Sequence, residues 1–150
     1  GDGLTVSPVS AGVVTVTASG GSLQSRTIVS ASTTSIADDA VGFTTAAGFK
    51  AYTLMKVGVS TAAWIRIYTD STSRANDSSR SVGEDPSPGS GVIAEVVTTG
   101  ISTQQMITPF AMGGNMDDPV SNVIYLAIKN LSGSTQTITA NLTILQLEAQ

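Results

Sequence analysis

The chain has neither cysteine nor histidine. Without thiols there are no disulfides to stabilise it, and the redox compartment is not legible. Without imidazole or thiolate, Ser-His-Asp and Cys-His nucleophile systems are excluded, as are ordinary zinc sites. No glycine-rich phosphate-cradling motif occurs. Charge is scarce as well: charged residues make up 12% of the chain, about half the usual share. The net charge is -4, and no cluster of Lys and Arg is long enough to track a phosphate backbone, so nucleic acid is not an expected partner. There is no run of about eighteen apolar residues and no basic segment leading into an apolar one at the N-terminus. Neither a membrane span nor a signal peptide is therefore expected. Apolar spacing nowhere holds a helical period for about ten residues, so little helix is expected.

What the chain does have is 41% hydrophobic residues and a Ser and Thr content above a quarter. Thr in alternating runs suits a pleated surface, whereas Ser, Gly and Asn collect at turns. At 150 residues the chain fits one domain with one sizeable core. The predicted fold is an all-β antiparallel β-sandwich, jelly-roll-like, over residues 41–150, preceded by an extended N-terminal arm or edge hairpin over residues 1–40. That arm is rich in small polar residues and has no aromatic. Burial is worth roughly 25 cal/mol per Å² of apolar area, so strands this small in side chain gain little and need another surface to lie on. Within it, Val13 to Ala18 and Leu23 to Val29 flank Ser19-Gly20-Gly21-Ser22 at a spacing compatible with a hairpin; a competing reading makes them the first strands of the domain itself. Further strands are predicted at Tyr52 to Ser60, with Gly58 marking a bulge or close approach, at Gln104 to Thr108, ended by Pro109, at Val123 to Lys129, and at Gln136 to Leu147. The last two are expected to form a C-terminal hairpin across the turn Asn130–Thr135. The expected core is Val57, Ile65, Ile67, Ile124, Leu126, Ile128, Leu142 and Ile144.

The stretch from Ala62 to Gly100 holds two strands, AAWIRIYTD and VIAEVVTTG, joined by a long polar loop with a stiff Pro86-Ser87-Pro88-Gly89 close. A loop of about twenty residues in a compact domain is usually functional or mobile. Alternation puts Ile65 and Ile67 on one face of the first strand and Trp64, Arg66 and Tyr68 on the other. Glu95, the one charge of the second strand, needs a partner, and Arg66 is the expected one. Three readings of the Trp64 face stay open: both sheets simply covered, with Trp64 in the main core, a subunit interface, or a platform for sugar rings. Arg74, Asp77 and Arg80 are candidate loop contacts. Glycoside hydrolysis requires only two carboxylates, and Asp70, Asp77, Glu84, Asp85 and Glu95 lie here, but the loop carboxylates sit among Ser, Arg and Gly with nothing apolar to raise an acid's pKa. Asp117-Asp118, or Asp2 with Asp38-Asp39, lack the alternating ligand spacing of a calcium loop and read as turn carboxylates, so no metal is expected. Triplets beginning at Asn76, Asn130 and Asn141 match the glycosylation acceptor pattern, which has meaning only in a eukaryotic secretory setting.

From Tyr52 to the C-terminus the chain resembles small β-rich virion proteins of tailed phages, cyanophages among them. The resemblance is carried by Tyr68-Thr69, Arg74, Asp77, Arg80, Asp85-Pro86, Pro88-Gly89, the strand from Val92 to Gly100, and Asn130–Thr135. It implies a non-enzymatic structural role at the capsid surface of the virion: a capsid cement (decoration) protein that bridges subunits of the major capsid protein. Such proteins tend to be sandwich or jelly-roll modules, often homotrimers, with an N-terminal arm laced across neighbouring subunits. No catalytic residue, cofactor or metal is implied, nor a membrane. The alternative it leaves is a glycan-binding module of a tail or fibre, using Trp64 and Tyr68.

Overall fold

The computed structural model describes residues 4–6, 16–18, 24–100 and 104–148. Its strands are β1 (Leu4–Val6), β2 (Val16–Ala18), β3 (Thr27–Ile36), β4 (Val41–Ala47), β5 (Ala51–Val59), β6 (Ala63–Tyr68), β7 (Val92–Val97), β8 (Gln104–Gly114), β9 (Val123–Asn130) and β10 (Gln136–Gln146), with one helix, α1 (Ser71–Asn76). Two four-stranded sheets, ordered β3-β10-β5-β8 and β4-β9-β6-β7, make up the sandwich, and β1 and β2 form a separate two-stranded ribbon. Neighbouring strands are antiparallel throughout. From β3 onward each connection crosses from one sheet to the other except that between β6 and β7. An all-β sandwich wound this way is a jelly roll.

The core lies between the sheets. Val57, Leu142 and Ile144 from the first sheet meet Ile65, Ile67, Ile124, Leu126 and Ile128 from the second, and none is more than 1% exposed. Leu54 and Ile138 complete it. Each such side chain contributes roughly 1.5–3 kcal/mol when fully buried, and alternation places them because successive strand side chains point to opposite faces.

Several sequence expectations need correction. The arm does not run to residue 40. Thr27–Ile36 pairs along β10, from Thr27 opposite Ile144 to Ile36 opposite Gln136, and Val29, Ala31 and Ile36 pack on the core. Small residues suffice because this edge closes tightly against β4: a Cβ on Gly42 would stand 3.0 Å from Thr33 Cγ2. The expected hairpin is not formed either. β2 pairs with β1, Leu4 opposite Ala18, and the proposed turn Ser19-Gly20-Gly21-Ser22 lies outside the described residues.

In β5 the irregularity is at Met55, not Gly58. Leu54 and Lys56 stand opposite consecutive residues of β10, Ile144 and Thr143. Met55 is the extra residue, which turns both Leu54 and Val57 inward. Pro109 does not end β8, since the pairing with β5 resumes at Leu54 opposite Ala111 after Lys56 opposite Met106. The intervening bulge on an edge strand tolerates a residue without an amide hydrogen. β9 and β10 are not a hairpin but lie in different sheets. Asn130, fully buried, holds the crossing turn: its Nδ2 donates to Ile36 O at 3.0 Å and Ser134 O at 2.7 Å, and its Oδ1 accepts from Ser132 N at 2.9 Å.

Candidate functional site

The long loop between β6 and β7 is a cap. Asp70 starts α1 as its N-cap, its carboxylate accepting from Ser73 N at 2.8 Å, which satisfies an otherwise unpaired amide of the first turn. The same bond and those from Ser73 and Thr69 hold the Asp70 carboxyl below the usual carboxylate range. The loop's base is closed by Thr69 N donating to Gly91 O at 2.9 Å. Gly91, at φ +74°, lies directly against the Ser73 side chain, leaving no room for a Cβ.

Beneath the cap lie Trp64, Arg66 and Tyr68. They point away from the sandwich core, yet none is more than 1% exposed. The Arg66 guanidinium lies 4.0 Å from the Trp64 ring centroid, and that of Arg80 4.9 Å. Asp77 draws the group together. It accepts from Tyr68 OH at 2.7 Å, from Arg66 Nη1 at 3.3 Å, and from Arg80 Nε at 2.8 Å and Nη2 at 3.1 Å, while its carbonyl accepts from Arg66 at 2.7 Å. Burial alone would raise the Asp77 carboxyl, but the bonds from Arg80 and Tyr68 and the two cationic charges hold it below its ordinary value. Burial, and then the bond to Asp77, push the Tyr68 phenol up.

The expected Arg66–Glu95 pair is not made. The two residues stand opposite in the register, but Glu95 pairs with Arg80 at 2.8 Å and Arg66 with Asp77. A guanidinium with no exposed side-chain surface takes the carboxylate that is itself sealed off: the Asp77 side chain is 8% exposed and that of Glu95 33%. Arg74 anchors the other end of the cap. Its Nη1 donates to Thr44 O at 2.8 Å, and its guanidinium lies 4.8 Å from the Phe43 ring and 5.1 Å from that of Tyr125. Trp64, Arg66, Tyr68, Asp77, Arg80 and Glu95 are thus brought to one place, as the underside and margin of a cap, with Arg74 apart from them at its other end. A sugar platform needs exposed rings, and neither Trp64 nor Tyr68 offers one.

Three other carboxylates staple turns. Asp117 accepts from Asn115 Nδ2 at 2.9 Å and Tyr125 OH at 2.8 Å. Asp38 accepts from Gly133 N at 2.9 Å, and Asp39 pairs with Lys129 at 2.8 Å. Asp2 lies outside the described residues. Among the described residues no group of three His, Cys, Asp or Glu could hold a metal ion, and no helix is long and apolar enough to cross a membrane.

Sequence reasoning missed the outer face of the first sheet. Register places Ile28, Thr143, Lys56 and Met106 in one row across its four strands. A second row holds Ser30, Asn141, Gly58 and Gln104, and a third Leu145, Thr53 and Met112. Ile28 is 63% exposed, Met106 64% and Met112 77%. The signal was present as outward-facing apolar residues on the two edge strands, but the irregularities at Met55 in β5 and between Met106 and Ala111 in β8 hide the shared face from simple alternation. Compared with protein-family models and with curated proteins, the chain matches none.

Proposed function

We propose that the chain is a non-enzymatic structural protein of a tailed-phage virion, a capsid cement protein that bridges neighbouring subunits of the major capsid protein from the outer surface of the head, as a homotrimer. The observation that carries this reading is the ribbon of β1 and β2, which pairs with itself and with neither sheet of the sandwich. A lone two-stranded ribbon is marginally stable in water and needs a third surface. A neighbouring capsid subunit supplies one, by strand addition or packing, and the ordering entropy is then met on binding. Two further features support it. The aromatic and arginine residues that would mark a ligand platform are consumed within the cap, and the chain's resemblance to phage virion proteins runs through that same cap.

The test compares full-length protein with a variant lacking residues 1–23, and with Thr5→Pro/Thr17→Pro, which removes amides from the paired positions of the ribbon. Each is bound to heads assembled from the capsid protein encoded with it and lacking this chain, and each is melted alone. Both variants are expected to melt as the full-length protein does and to lose most of their binding. Binding that survives both changes contradicts the proposal.

A further inference from the structure

The two broad faces of the sandwich differ in kind. Over the second sheet the cap buries Trp64, Arg66 and Tyr68. Over the first sheet no described segment is folded, and the outward side chains of its rows meet solvent. Charge is divided just as unevenly. The four strands of that sheet contain no Asp or Glu and a single charged residue, Lys56, in a chain with 11 acidic residues. The Lys56 ammonium donates to Gln104 Oε1 at 3.0 Å, which holds it upright between Thr143 and Met106, and no carboxylate pairs with it among the described residues. Beside it Gly58 adds no side chain, leaving a groove of about 460 Å³ walled by Ile28, Asn141 and Gln104. Ser30 Oγ donates to Asn141 Oδ1 at 2.6 Å, so the polar rim is pre-ordered.

We propose that this face, centred on the row Ile28, Thr143, Lys56 and Met106, is the docking surface for the capsid, against a protein surface that sets a carboxylate in an apolar, hydroxyl-bearing patch. The proposal rests on the capsid-cement reading and names where the sandwich, as distinct from the ribbon, makes contact. Exposed apolar side chains on both edge strands of the face, Ile28 on β3 and Met106 and Met112 on β8, gain by being covered. A lysine among them then needs an opposite charge, because an ammonium desolvated without a partner is costly. A second copy stacked face to face supplies no such charge from its own sheet, because the four strands contain no Asp or Glu. Lys56, even with Arg26 beside Met55 and Leu145 at the margin of the face, is too little charge to track a phosphate backbone. The one exposed ring on the four strands, Phe110, stands alone on the edge strand β8 with no second ring to make a sugar platform.

The experiment measures binding of the full chain to heads lacking it, at low and high salt, beside sedimentation of the free protein. Lys56→Gln is expected to weaken binding about tenfold and to abolish most of its salt dependence. Met106→Asp/Met112→Asp is expected to weaken it about a hundredfold. On the capped side, Val82→Asp and Asp85→Lys should bind as wild type. Wild-type binding with unaffected face variants overturns the docking face and leaves the capsid reading standing. Failure of the wild-type protein to bind overturns both. Face variants that change the oligomeric state while binding heads normally assign the face to another copy of the chain and overturn the proposal.

Discussion

Asp77 is the residue on which the cap depends. Removing its carboxylate leaves the Arg66 guanidinium, with no exposed side-chain surface, without its ion-pair partner and with the Asp77 carbonyl as its remaining acceptor, and the buried Tyr68 hydroxyl without its acceptor. Breaking a buried pair in this way costs about 3–5 kcal/mol, so Asp77→Ala should lower the unfolding free energy in urea by that amount. Glu95→Ala should cost under about 1 kcal/mol, since its side chain is one-third exposed and such pairs are weak. The chain's single tryptophan lies under the cap, so emission from Trp64 reports the same event: Asp77→Ala should shift it to the red. A carboxyl whose folded pKa lies below its unfolded value, near 3.9, contributes stability that is present above that value and lost as pH falls through the folded one. Asp77 and Asp70 are both of this kind. Acid should therefore destabilise the protein progressively below about pH 4, and Asp77→Asn should flatten that dependence. Tyr68 acts in the opposite sense: its raised pKa gives stability that is complete below the unfolded value of about 10 and is lost as pH rises above it. That Trp64, Arg66 and Tyr68 share a face was legible from a two-residue period. Which carboxylate Arg66 chooses was not, because the choice is made by Asp77 and Arg80, which reach it only once the loop has folded back.

Among the elements, β6, β9 and β10 were legible because bulky isoleucines and leucines alternate through them. β3 was not: its inward positions include the small residues Ala31 and Thr33, of which Thr33 meets Gly42 closely across the closed edge, and so it reads as arm. The consequence can be tested by truncation. Removal of residues 1–23 should leave the melt of the sandwich nearly unchanged. Removal of residues 1–39 should abolish cooperative folding, because it strips β10 of one neighbour and uncovers Val29, Ala31 and Ile36 from the core. A cooperative melt after the longer deletion would show that β3 is dispensable. The bulge at Met55 and the resumption of β8 after Pro109 escaped a period-two reading for a shared reason. An inserted residue reverses the faces downstream of it, and only pairing with a neighbouring strand fixes where that occurs. Core substitutions carry the ordinary cost: Leu142→Ala, at a fully buried position, should lose about 2–5 kcal/mol, read from the same urea transitions.

At the scale of the molecule, the sandwich class follows from strand spacing and Thr-rich alternation, whereas the path between sheets does not. The turn after Asn130 resembles a hairpin turn, and it is the buried amide of that residue, bonded to Ile36 O, that sends the chain across to the other sheet. The resulting body has one capped face, one uncovered face with a single lysine, and a ribbon that pairs with neither sheet. These three parts together motivate a protein that lies on a larger surface and ties it together. For the proposed capsid-cement role the most direct measurement is an electron-microscopic reconstruction, at a resolution that traces strands, of phage particles that carry the chain. The expected result is a jelly roll on the outside of the head, Lys56 and Met106 facing the capsid, the α1 cap facing solvent, and the β1–β2 ribbon laid on a neighbouring subunit. Density for this fold at the tail or fibre, with none on the head, would contradict it.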